Sequence, residues 1–175
     1  MALCAAGSDR AFAALVERYS AAVYRYFHVA CRDRELASDL VQETFLRLHK
    51  HRARYRTGEP FRNWLFVIAA NLARSDRRAR LRRPAVPSLG DVDLPHPTPG
   101  PEQAAVDAER LARTRAALEQ LPKPQREALR LRLLEGLGFE AIGRALGCPI
   151  ETARTRVHYG LKALRSKLDP GGAKP

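Results

Sequence analysis

The chain has 175 residues, 31 Lys and Arg against 19 Asp and Glu, a formal net charge of +12, and 45% hydrophobic residues. That length holds one ordinary domain or two small ones, and that apolar share excludes a chain too polar to fold. The positive balance points to a polyanionic partner, and the placement of charge has to separate nucleic acid from an anionic membrane or an acidic protein.

Cys4, Cys31 and Cys148 are odd in number and far apart, which fits neither a disulfide framework nor a zinc site and points to a reducing, cytoplasmic setting. The start MALCAAGSDR carries no basic leader. The longest apolar run, WLFVIAA at 64–70, falls far short of the roughly 20 residues that span a bilayer, so no membrane segment is expected. Cys4 after Ala2 and Leu3 faintly resembles a lipid-attachment site, a role not expected with three residues before it.

The first element is a helix whose apolar stripe is Phe12, Leu15, Val16, Tyr19, Val23, Tyr26 and Phe27, repeating at three and four residues; its aromatics read as core rather than as a stacking platform. A second helix is expected from about Arg34 to Lys50, with Leu40, Val41, Phe45 and Leu48 apolar. Beside that stripe Asp39, Gln42 and Glu43 form a small acidic and amide face suited to a basic protein partner. The segment HKHRARYRTGEP, with Tyr55 and Gly58, reads as a polar loop.

A third helix begins near Pro60, a residue favoured at a first helical position, and buries Phe61, Trp64, Leu65, Ile68 and Leu72. Asn71, Arg74 and Arg78 project together from its other side, thickened by Arg77, Arg80, Arg82 and Arg83. Asp76 is the sole acidic residue from Arg62 to Arg83, a pattern that favours a phosphate-contacting surface over a solvated face.

Six of the twelve prolines lie between Pro84 and Pro101, and no helical or strand period survives there. A stiff proline-rich linker extends by about 3.1 Å per residue, so this one could reach on the order of 50 Å and let two modules visit separate sites on one duplex. Downstream, helices are expected at about 103–120, 123–135, 139–146 and 150–168. With no strand pattern anywhere, the fold class is all-α, two small helical domains joined by the proline-rich linker.

In the last two of these helices, Phe139, Ile142 and Leu146 share a face, Gly147 stops the first, and Ala153, Val157, Leu161, Leu164 and Leu168 line one side of the second. This is a helix-turn-helix pattern, with Gly143 where two steeply crossing helices must approach closely. The opposite side of the second helix carries Thr152, Arg154, Thr155, Arg156, His158 and Tyr159, which fits a DNA major groove. Arginine can fork onto guanine and threonine can meet a base edge or the thymine methyl, while Lys162 and Arg165 can meet phosphates.

Three stretches resemble one family in its own order: DLVQETFLRLHK at 39–50, FRNWLFVIAANLARSDRRAR at 61–80, and LPKPQREALRLRLLEGLGFEAIGRALGCPIETARTRV at 121–157. They are similar to the small extracytoplasmic-function sigma factors of the sigma-70 superfamily. The resemblance implies a promoter-specificity subunit of bacterial RNA polymerase, without cofactor or metal and not an enzyme. It implies region 2 at 1–83, a linker at 84–102, region 4 at 103–170 and a tail at 171–175. The helix matching Asp39, Gln42, Glu43 and Phe45 would dock on the clamp coiled coil of the largest polymerase subunit, and the flap is a further expected contact. Tyr55, Gly58 and Asn71 would engage the minus-ten element, with Arg74 and Arg78 on its backbone. Thr152, Arg154, Thr155, Arg156, His158 and Tyr159 would read the minus-thirty-five element, and an anti-sigma factor joins promoter DNA and core polymerase as an expected partner.

The chain departs from that pattern at Ala70, where arginine is common, at Gly138, where a Ser or Thr cap is usual, at Glu151 and at Tyr159. These bear on DNA preference, and Gly138 implies a cap weaker by a few tenths of a kcal/mol. Two rival readings remain. A stand-alone helix-turn-helix regulator would leave the Asp39–Glu43 face without a role. A nuclease would use Asp39 and Glu43 as metal ligands, but two carboxylates lack the further ligands a cation needs, and the histidines His28, His49, His51, His96 and His158 show no ligand spacing.

Overall fold

The computed structural model describes residues 2–55, 58–81 and 112–168. They form helices α1 (Ala2–Ala5), α2 (Asp9–Cys31), α3 (Arg34–Lys50), a short 3-10 turn at Arg52–Arg54, α4 (Phe61–Leu81), α5 at 112–119, α6 (Lys123–Leu133), α7 (Phe139–Leu146) and α8 (Ile150–Leu168). No strand occurs among the described residues, so the all-α class holds. The chain divides into two compact units, Met1–Asp91 and Val92–Pro175. The expected linker, the helix start at 103–111 and the tail lie outside the described residues.

In the first unit α2, α3 and α4 pack on one another around Val23, Phe27, Leu40, Phe45, Leu48, Leu65, Phe66, Ala69 and Leu72, all buried. Each fully buried Phe or Leu contributes about 1.5–3 kcal/mol of apolar burial, which is what holds three helices together without a sheet. Tyr26 packs edge-on against Phe66 at 5.7 Å and Tyr19 against Phe61 at 5.1 Å, which puts the aromatics in the core as their periodicity predicts. Helix α2 starts at Ser8, whose side chain accepts from the Ala11 N–H at 3.2 Å, and α3 starts at Asp33, which accepts from the Leu36 N–H at 3.1 Å. These caps satisfy backbone donors that would otherwise have no intrahelical partner. Helix α1 is absent from the periodicity reading because four residues carry no period; its Cys4 is buried.

In the second unit α6, α7 and α8 pack mutually over Leu129, Leu131, Leu137, Ile142, Ala145, Ala153, Val157 and Leu164. Helix α6 stops at Leu133, two residues before its expected end, and the Leu137 N–H reaches back to the Leu131 carbonyl at 3.0 Å. Helix α7 opens at Gly138 with no side-chain cap, as expected from its lack of a hydroxyl. It closes at Gly147, left-handed at φ 63°, with the Cys148 N–H bonded to the Gly143 carbonyl at 3.0 Å. Glycine suits that cap because a β-carbon would strain a left-handed residue. Gly143 answers a different need: a β-carbon there would sit 2.8 Å from the Cys148 carbonyl oxygen, so the turn closes against bare backbone.

Candidate nucleic-acid interface

The helix-turn-helix fixes what α8 can offer. Ala153, Val157, Gly160 and Leu164 are buried along one side, so the residues about half a turn away must face outward. Arg154, Thr155, His158, Tyr159, Lys162 and Arg165 are exposed, and Tyr159 and Ile150 are among the exposed large hydrophobics of the chain. Thr152 is half-buried and stands at the edge of this face.

Arg154 and Arg156 do not act as a pair. At about 100° per residue they leave the helix about 160° apart, counted the short way round, on opposite flanks of the outward face. Arg154 is exposed, lies 3.5 Å from Glu151 through an i, i+3 ion pair, and stands over the Phe139 ring. Arg156 is half-buried and turns back to the turn, where its Nη1 lies 3.5 Å from Cys148 Sγ. Thr155 spends its hydroxyl proton on the Glu151 carbonyl at 2.8 Å, which leaves its oxygen lone pairs and its methyl for a base edge. Against the expected cluster, α8 therefore presents one outward arginine beside Glu151 and the Phe139 ring, one arginine turned back to Cys148, and a threonine that accepts rather than donates.

In the first unit the loop after α3 is framed at both ends. Arg52 Nη1 donates to Asp9 Oδ1 at 2.8 Å, and the His49 ring meets Phe12 edge-on at 4.9 Å, which ties the loop's start to the head of α2. The Arg52 hydrogen bond, then its charge, and His49 hold the Asp9 carboxyl below the usual carboxylate range. At the far end Tyr55 donates to the Glu59 carbonyl and packs its ring on Trp64 at 5.4 Å and Phe61 at 6.4 Å. Burial and the Glu59 charge push its phenol pKa up. Tyr55 is thus half-buried and anchors the loop. Gly58 is exposed at φ 108°, and residues 56 and 57 lie outside the described residues.

On α4, Asn71 and Arg78 are exposed, and Arg74 between them donates to Asn71 Oδ1. The spacing brings these three onto one face, as read from the sequence. Arg80 is held by Asp76 at 2.7 Å, and Arg82 and Arg83 fall outside the described residues.

The acidic face of α3 is open at Asp39 and Gln42 and half-buried at Glu43, which pairs with Arg47 at 2.6 Å. Phe45 does not belong to it. That side chain is 6% exposed and points into the core, so it places the helix rather than meeting a partner. Leu46, which the sequence reading did not single out, is 65% exposed, and with Glu35, Asp39, Gln42 and Glu43 it falls on one side of the helix at spacings of three and four. The signal was available in the i+3 and i+4 relation of Leu46 to Glu43 and Gln42. Among the described residues no group of three or more His, Cys, Asp or Glu is placed to hold a metal, and no helix is long and apolar enough to cross a membrane.

Comparison with known proteins follows the same division. Residues 15–83 match the family model described as Sigma-70 region 2, and residues 111–164 match that described as Sigma-70, region 4. The RNA polymerase sigma factor CarQ of Myxococcus xanthus is 37% identical over 93% of this chain and 91% of its own length. The RNA polymerase sigma-H factor of Pseudomonas aeruginosa is 32% identical over 94% and 89%. The ECF RNA polymerase sigma factor SigE of Mycolicibacterium smegmatis is 38% identical over 88% of this chain, which spans 60% of that longer protein. Among solved structures, the sigma factor RpoE of Bartonella quintana, in complex with the anti-sigma factor NepR, shares the fold with a TM-score of 0.70 at 23% identity, covering 93% of this chain and 99% of that one. With both region models matched in order and relatives similar over nearly their whole length, the chain belongs to the sigma-70 family, as a factor of the extracytoplasmic-function (ECF) type.

Proposed function

We propose that this chain binds core RNA polymerase and directs promoter-specific initiation, with region 2 at 1–83, a linker at 84–102 and region 4 at 103–170. The outward face of α3, Asp39, Gln42 and Glu43 with Leu46 at its centre, docks on the clamp coiled coil of the largest subunit, and region 4 meets the flap. Asn71, Arg74 and Arg78 hold the melted minus-ten strand beside the loop from Tyr55 to Gly58. Single-stranded DNA is captured by a basic groove and a site for unstacked bases, so melting needs no nucleotide hydrolysis by this chain. Helix α8 reads the minus-thirty-five duplex, with Arg154, Thr155, His158 and Tyr159 outermost, Arg156 and Thr152 at the edges, and Lys162 and Arg165 on phosphates. An anti-sigma factor belongs to the same proposal, since the Bartonella quintana neighbour is solved with one.

The observation that carries the proposal is the sorting of charge by surface. An acidic and apolar face stands on α3, while basic faces stand on α4 and α8. A stand-alone helix-turn-helix regulator leaves the first two without work. The test is transcription in vitro: core polymerase with this chain, on fragmented genomic DNA of its source, should give transcripts from a limited promoter set that core alone does not give. Absence of promoter-dependent transcripts together with no binding to core overturns it.

A further inference from the structure

Phe139 opens α7 and takes no part in DNA contact in the reading above. Its ring is half-buried and two guanidinium groups lie over it: Arg132 from the end of α6, 5.0 Å from the centroid, and Arg154 from α8, at 5.5 Å. Arg132 is fixed there by a second contact, its Nη1 donating to the Leu137 carbonyl at 2.9 Å. Arg154 is also drawn by Glu151 at 3.5 Å, but both of those side chains are more than half exposed, and such a pair holds little by itself in water. An apolar filler at the start of α7 would need no ring. A half-exposed ring under two cations is a different device, because the negative face of the π-system attracts a guanidinium and leaves its N–H edge outward.

The geometry points to Phe139 as a positioning residue for Arg154: its ring holds the guanidinium in place before DNA arrives, so that the arginine on the outward face of α8 meets the duplex already ordered. A flexible side chain loses rotamer freedom on binding, and ordering it within the folded protein removes that loss from the binding step. The gain falls on base discrimination, since Arg154 is the most outward of the two candidate reading arginines. This rests on the assignment of α8 to the minus-thirty-five duplex.

The experiment uses holoenzyme reconstituted from core polymerase and the full chain. The probes are a duplex selected by the wild-type holoenzyme from a library randomised upstream of the start site, and a scrambled duplex of equal length. The variants are Phe139→Leu and Phe139→Met, which keep apolar bulk without the ring, Phe139→Tyr, which keeps the ring, Arg154→Ala, and Phe139→Leu combined with Arg154→Ala. Loss of the ring should lower the ratio of selected to scrambled binding about two- to fivefold, the range of one cation–π contact at an exposed site. Phe139→Tyr should keep the ratio, and Phe139→Leu should cost nothing further once Arg154 is alanine. Equal loss on both duplexes, an equal loss in the Arg154→Ala background, or no loss with either ring-free variant overturns the role of Phe139 while Arg154→Ala still lowers the ratio. If Arg154→Ala itself leaves the ratio unchanged, the assignment of α8 falls and the role of Phe139 falls with it.

Discussion

Gly143→Ala tests whether the helix-turn-helix is set by backbone contact. The added β-carbon would lie 2.8 Å from the Cys148 carbonyl oxygen and 3.6 Å from both the nitrogen and the Cα of Ile150. All three are main-chain atoms at the turn and the start of α8, so no rotamer change relieves the clash and α8 must move relative to α7. Overpacking of this kind costs about 1–3 kcal/mol, and the absence of a flexible neighbour places this case in the upper half. Alanine returns about 1 kcal/mol of helix propensity, so a net loss of about 1–2 kcal/mol is expected. For a unit of this size each kcal/mol lowers the midpoint by about 4–8 °C. Thermal unfolding followed by far-UV circular dichroism should show that loss. Fluorescence of Trp64, the sole tryptophan and a residue of the first unit, follows that unit separately. Gly160→Ala is the contrast, because its β-carbon would meet Leu129 Cδ1 at 2.9 Å and Cγ at 3.0 Å, side-chain atoms of a buried leucine rather than main chain, and its loss should be smaller. A Gly143→Ala protein as stable as wild type, or one less affected than Gly160→Ala, refutes the close-contact reasoning.

Leu46→Ala should weaken association with core polymerase several-fold without lowering stability, because the side chain is 65% exposed; a pull-down and a melt read the two quantities, and unchanged association removes Leu46 from the docking face. Asp33→Ala removes the cap on α3 and should cost about 1 kcal/mol in urea unfolding monitored by Trp64, with no loss counting against the capping bond to Leu36. The depressed Asp9 carboxyl stabilises the fold above its unfolded value of about 3.9, and that contribution is lost as pH falls through the lower folded value. Asp9→Asn should therefore reduce stability at pH 7 and flatten the acid side of the stability profile, whereas an Asp9 titrating at its ordinary position by NMR would contradict the bond to Arg52.

The helices were legible because apolar residues recur at helical spacing over long stretches, with Asp33 capping the start of α3 and Gly147 ending α7. Gly143 could be placed from the helix-turn-helix pattern alone. What the sequence hides is contact between residues distant along the chain. Arg52 and Asp9 are 43 residues apart, and Arg132, Phe139 and Arg154 meet only once three helices have packed. The same limit applies at Tyr55, whose hydroxyl and ring are both taken up by neighbours, and at Phe45, where an apolar residue next to an acidic face reads equally as core or as interface until burial decides. Arg156 is the subtler case: spacing puts it on α8's polar side, but only the fold brings Cys148 under its guanidinium.

On the proposed function, a chain with net charge +12 that meets both DNA and a protein faces a problem of cross-attraction, since every basic face draws every polyanion. The first unit answers it by position. Glu35, Asp39 and Glu43 stand on the outward side of α3, away from the core contacts, while Asn71, Arg74 and Arg78 stand on α4. DNA brought to the α3 face meets carboxylates, whose like charge disfavours it there, so that face suits a partner of opposite sign. Glu43 is partly neutralised by Arg47, which leaves Asp39 as the freer charge and Leu46 as the apolar centre. Salt should therefore act unequally on the two kinds of contact. Under the proposed function, phosphate binding by α4 and α8 should fall steeply with ionic strength through counterion release, whereas docking that covers the exposed Leu46 should retain most of its strength once the rim charges are screened.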